Sequence, residues 1–121
     1  MDIRVKASDY QMTPEVSKYL DEKIAQIETL IGAEADQSRV EADVGRATGH
    51  HKHSEYMYFA ELQLLRPGWP RLVAKNHEPN VNSAIENAKE ELLRQIRHEK
   101  KLHARVWRRG GALAKRLLRI D

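Results

Sequence analysis

The period of the hydrophobic pattern changes from strand to helix and back within the first third of the chain. Residues 2–7, DIRVKA, alternate, with Ile3, Val5 and Ala7 on one side and Asp2, Arg4 and Lys6 on the other. That is the period-2 signature of a half-buried strand. Val16, Leu20, Ile24, Ile27 and Ile31 then recur at helical spacing. Thr13-Pro14-Glu15 supplies a cap, a first-turn proline and an acid at the positive end of the helix dipole. Gly32 can end the helix. Residues 38–46, SRVEADVGR, alternate again, with Val40, Ala42 and Val44 inward. A strand, a helix and a second strand in this order form a crossover, which is expected to be right-handed and to pair the two strands in parallel.

The rest of the chain extends that unit. Residues 55–65 read as a long strand with Tyr56, Tyr58, Ala60, Leu62 and Leu64 on one face. Arg66-Pro67-Gly68-Trp69-Pro70 has turn composition, and residues 71–76 form a short fourth strand. Asn80 caps a second helix, whose core stripe is Val81, Ile85, Ala88, Leu92 and Ile96 and which runs to about Arg108. The fold class is α+β, in the order β-α-β-β-β-α. A four-stranded mixed sheet carries both helices on one face. The other face is expected to be open, with Arg4, Lys6, Arg39, Glu41, Asp43, Met57, Phe59, Glu61 and Gln63 on it. Residues 1–109 make one domain, and 110–121 a basic amphipathic tail after Gly110-Gly111.

The 121 residues include no cysteine, which removes disulfides, thiolate zinc sites and cysteine nucleophiles. The N-terminus lacks the apolar core of a signal peptide, and no apolar run approaches the ~20 residues of a membrane span. A cytoplasmic protein is expected. No serine sits in a nucleophile elbow, and Gly110-Gly111 lacks the Lys-Ser/Thr of a phosphate-cradling loop. Nothing in the sequence argues for an enzyme, a cofactor or a small-molecule substrate.

Histidine raises the question of metal. His50, His51 and His53 lie in the loop GHHKHSE, where neighbouring side chains diverge; tetrahedral coordination needs convergence. His98 and His103 are five apart, off the i, i+4 face used by helical zinc motifs. No metal site is expected, and a metal-dependent enzyme built on the histidine loop is the weakest reading. His50, His51, Lys52 and His53 are candidates either for a solvated loop or for contact with phosphate.

Charge gives the strongest functional signal. Net charge is only +3, yet residues 1–88 carry a balance of −4 and residues 89–121 one of +7. In the second helix Arg97, Lys100, Lys101, Arg105 and Arg108 recur every three or four residues, so they project from adjoining turns on one side. Arg94, His98 and Arg109 widen this strip, and Lys89 lies a turn or two earlier. Such a strip suits a phosphate backbone, and duplex RNA is recognised largely by shape and backbone. Trp107 either stacks on an unpaired base or packs against the tail or sheet. A competing reading makes the tail, with Leu113, Leu117, Ile120, Lys115, Arg116 and Arg119, a membrane-surface or protein-interaction element.

Three segments carry a family resemblance: DIRVKASDYQMTPEVSKYLDEKIAQIE, FAELQLL and NVNSAIENAKEELLRQIRHEKK. Tyr19, Glu22 and Lys23 match a Tyr-x-x-Glu-Lys pattern. Ala84-Ile85 and Leu92-x-Arg94-Gln95-Ile96-Arg97 match the second helix. Over about residues 1–105 the chain resembles the ribosome hibernation-promoting factors, also called ribosome-associated translation inhibitors or sigma-factor modulation proteins, in their short form. The resemblance implies a fold like that of double-stranded RNA-binding domains. It also implies binding to the small ribosomal subunit and its ribosomal RNA, in the decoding channel, with messenger and transfer RNA excluded during stress. It carries RNA contact onto Lys23, Lys89, Arg94, Arg97, Lys100 and Lys101. It implies no membrane partner and leaves the oligomeric state open. Asn80 and Asn82 stand where the family usually has Asp and Tyr, so the contact of that ring is lost. Pairing of ribosomes through the additional domain of the family's long form is not expected.

Overall fold

In a computed structural model, residues 1–47 and 57–109 are described, with side chains described as far as Arg105. The elements are β1 (Asp2–Ser8), α1 (Pro14–Ile31), a 3-10 segment (Gly32–Gln37), β2 (Arg39–Arg46), β3 (Tyr58–Leu65), β4 (Leu72–Glu78) and α2 (Val81–Arg109). The expected β-α-β-β-β-α order is the observed one. The sheet runs β1-β2-β3-β4, with β1 parallel to β2 and the other two pairs antiparallel.

Local chemistry sets the helix ends. Thr13 Oγ1 accepts from the Val16 amide at 3.2 Å, satisfying one orphan donor of α1, and Pro14 occupies the first turn. At the other end Gly32 takes φ 77°, and its N–H donates to the Glu28 carbonyl. The chain then continues into the 3-10 segment, which the glycine alone did not announce. Asn80 Oδ1 accepts from the Ser83 amide at 2.8 Å and caps α2.

The core lies between one sheet face and the two helices. Val16, Leu20, Ile24, Ile27 and Ile31 of α1 are buried with Val81, Ala84, Ile85, Ala88, Leu92, Leu93 and Ile96 of α2. The sheet supplies Val40, Ala42, Val44, Ala60, Leu62, Leu64, Leu72 and Ala74. α2 packs chiefly on β3 and β4, and α1 packs on α2.

β1 departs from expectation. Ile3 and Val5 point to the helix side, in line with buried Val40 and Ala42, yet remain 43% and 49% exposed. The alternation correctly gave their face, but the helices stop short of the first strand. Phe59 departs in the other direction. It lies on the face opposite the helices but is only 9% exposed, with the Lys75 ammonium 5.0 Å from its ring centre. β4 runs two residues further than expected, to Glu78. The expected beginning of the third strand, Glu55 and Tyr56, lies outside the described residues, as does the tail.

Candidate nucleic-acid interface

The apolar stripe of α2 turns one side of the helix to the core and leaves the other to solvent. On the solvent side Arg94, Arg97, His98, Lys101 and Arg105 are all exposed. From Arg94 to Arg105 the helix axis advances about 16 Å. Arg97, Lys101 and Arg105 make no ion pair among the described residues. Arg97 stands on a ridge between two grooves. One, against β4, is lined by Val73, Lys75, Asn87, Arg94 and Gln95. The other, against α1, is lined by Gln26, Thr29, Leu30 and Lys100.

Arg94 is 73% exposed at its side chain but already engaged: its Nε and Nη2 donate to Glu91 at 2.9 and 2.6 Å. The hydrogen bonds from Arg94 and Gln95 hold the Glu91 carboxyl below its ordinary range. Arg94 can reach an outside phosphate only by sharing or leaving that carboxylate.

Three of the expected contact residues are engaged within the protein, one of them buried. Lys89 is 3% exposed, and its ammonium donates to Glu86 at 2.9 Å and also to Glu90. Burial pulls its pKa down, but the bonds to Glu90 and Glu86 outweigh burial and leave it raised. Lys23, on α1, donates to the same Glu86 at 2.8 Å, and that bond raises its pKa. Tyr19 Oη donates to Glu86 at 3.4 Å. Bonds from Lys23 and then Lys89 hold the Glu86 carboxyl at about 2. This cluster ties α1 to α2. Lys89 therefore does not belong to the exposed strip, because a buried ammonium is retained only by its carboxylate partners. Lys100 donates to the Leu30 carbonyl and so caps the negative end of α1.

Arg108, Arg109 and Trp107 continue α2, but their side chains lie outside the described residues, as do His50, His51, Lys52 and His53. No cluster of three or more metal-ligating side chains occurs among the described residues. The sequence reading missed two features. Lys75 of β4 lines the same groove as Arg94 and Arg97. Trp69, taken only as a turn residue, stacks on His103 with ring centres 5.4 Å apart, and the Arg66 guanidinium lies 4.1 Å from its ring centre. The turn thus props the distal part of α2. A tryptophan between two prolines was the available signal, since turn composition alone does not call for a large ring.

A profile of the family described as sigma 54 modulation protein / S30EA ribosomal protein matches residues 3–103. The chain belongs to that family. Membership places it among ribosome-associated modulation proteins and bears out the resemblance drawn from the three segments. The N-terminal domain of Protein Y from Thermus thermophilus superposes with a TM-score of 0.62 at 18% identity, covering 81% of this chain and 98% of that one. A ribosomal subunit interface protein from Coxiella burnetii superposes at 0.64 with 13% identity, covering 84% and 99%. At these identities the likeness is one of fold. A search of curated protein sequences finds no match. No helix among the described residues is long and apolar enough to cross a membrane.

Proposed function

We propose that this S30EA-family chain is a ribosome hibernation factor that binds the decoding channel of the small ribosomal subunit and excludes messenger and transfer RNA. The observation that carries this reading is the run of exposed cations Arg97, Lys101 and Arg105 along one side of α2, without an ion-pair partner among the described residues. The mechanism is steric and needs no covalent step. Arginine forks and the lysine ammonium replace the counterions of ribosomal RNA phosphates. The folded body behind them occupies volume that messenger and transfer RNA would otherwise fill. The ion-pair cluster on Glu86 and the Lys100 cap hold α2 against α1, so the cations are presented on a rigid element.

The test is co-sedimentation of the full chain with purified small subunits. Replacing Arg97, Lys101 and Arg105 together by Glu should abolish pelleting while leaving the circular dichroism spectrum unchanged. Lys100 is left intact because it caps α1. Wild-type protein should also displace a labelled messenger RNA from programmed small subunits. Undiminished pelleting of the triple variant would remove the α2 strip from the interface. Pelleting without displacement would remove the decoding channel.

A further inference from the structure

The sheet has two edges, and they are treated differently. Along β4 runs α2, and Gln95 Nε2 donates to the Val73 carbonyl at 3.0 Å, so the edge is partly closed by a side chain. Among the described residues β1 has no such cover. It pairs with β2 on one side only, over the full run Asp2–Ser8 without proline or glycine, and six of its seven residues are exposed. Unpaired strand edges are the usual template for addition of another strand. We propose that the outer edge of β1 is a docking site for an extended protein segment that alternates acidic and apolar residues and joins the sheet as a fifth strand.

The chemistry of the occupant is written on the inner edge of the same strand. There Ile3 meets Val40 and Val5 meets Ala42 on the helix side. On the opposite face Arg4 meets Glu41 and Lys6 meets Asp43. A strand side chain has a neighbour on each flank when both edges are paired. Among the described residues the outer flank is open, and the same side chains call for the same complements: apolar beside Ile3 and Val5, acidic beside Lys6 and beside Arg4, whose guanidinium also reaches Asp2 at 3.4 Å. Ile3 and Val5 are continuous with the buried rows of Val40 and Ala42, so an added strand would extend the core over apolar surface now left to water.

Charge argues against a second copy of this chain as the occupant. Full-length antiparallel pairing of two β1 strands sets Arg4 against Arg4 or against Lys6, and like charges directly opposed are destabilising. Asp2, the only acid on the strand, is already held by Arg39 at 2.9 Å and Arg4 at 3.4 Å. This inference rests on the sheet alone and stands apart from the reading of α2.

The probe is a capped heptapeptide alternating valine with glutamate, titrated into the nitrogen-15-labelled full chain at low salt and followed by amide chemical shifts. Saturable shifts confined to β1 and adjoining β2 are expected. Affinity should exceed that for a valine–lysine heptapeptide at least tenfold, and N-methylation of alternate peptide nitrogens should abolish it. Ile3→Ser and Val5→Ser, both at exposed positions, should each weaken binding several-fold while the amide shifts of α2 stay in place. Equal affinity for the two peptides, shifts centred on α2 or β4, or no saturable shift at millimolar peptide would each overturn the proposal. Concentration-dependent shifts of β1 amides without peptide would overturn it in favour of self-association.

Discussion

Replacing Glu86 by glutamine should destabilise the domain at neutral pH and should stop doing so in acid. The carboxylate accepts from Lys23 at 2.8 Å, Lys89 at 2.9 Å and Tyr19 at 3.4 Å. Its pKa falls from 4.5 to about 2, chiefly through the Lys23 and Lys89 bonds. At about 1.4 kcal/mol per unit, the whole shift corresponds to roughly 3 kcal/mol. The side chain is 34% exposed, so water screens part of this. A loss of about 1–2 kcal/mol is therefore expected at pH 7. With a urea slope near 1.5 kcal/mol/M for a chain of this size, the unfolding midpoint should drop by about 1 M. The folded pKa lies below the unfolded one, so the stabilisation is complete above the unfolded value of 4.5 and disappears as pH falls through about 2. By pH 3 the gap between wild type and variant should have shrunk by more than about half. Urea unfolding followed by circular dichroism at pH 7, 5, 4 and 3 measures it. A gap unchanged at pH 3 would mean that shape and neutral hydrogen bonds, not charge, hold α1 to α2.

Other consequences can be checked by similar means. Gly45→Ala should cost about 1–3 kcal/mol in urea unfolding, because a Cβ there would stand 2.0 Å from the Ser8 carbonyl oxygen and force β1 away from β2. Thr13→Ala removes the acceptor for the Val16 amide and should lower stability by about 1 kcal/mol, read as a shift in thermal midpoint. Lys101→Gln should leave stability unchanged but reduce the salt dependence of small-subunit binding by roughly 0.7–0.9 in logarithmic slope, the value of one phosphate contact. An unchanged slope would place Lys101 away from the RNA.

Element order and strand faces could be read from periodicity because the rows Val40–Ala42–Val44 and Ala60–Leu62–Leu64 really do face buried helix stripes. Periodicity fails where a side chain's face and its burial part company. Ile3 and Val5 alternate as core residues do, yet an edge strand beyond the reach of both helices leaves them in water. The cationic strip shows the same limit. Spacing put Arg97, Lys101 and Arg105 on one side, and they are exposed there. Spacing could not show that Glu86, an i,i+3 neighbour of Lys89, also takes the Lys23 ammonium from α1, or that the Lys100 ammonium meets the last turn of a helix 70 residues earlier in sequence. Those partners are set by the docking of α1 on α2, a tertiary fact.

Among the described residues, the cations of α2 therefore include two populations with different work. Lys89 and Lys100, with Lys23 from α1, are used within the protein. They neutralise Glu86 and Glu90 and close the end of α1, where loss of one partner strands another charge or carbonyl. Arg97, Lys101 and Arg105 have no such partner among the described residues, and a row of like charges held on one rigid helix carries a repulsion that folding does not relieve. A polyanion relieves it, and relief is largest when the row cannot splay apart. Charge reversal in the first population should thus show up as unfolding and in the second as lost binding. A single assay of ribosome pelleting would confuse the two unless stability is measured beside it.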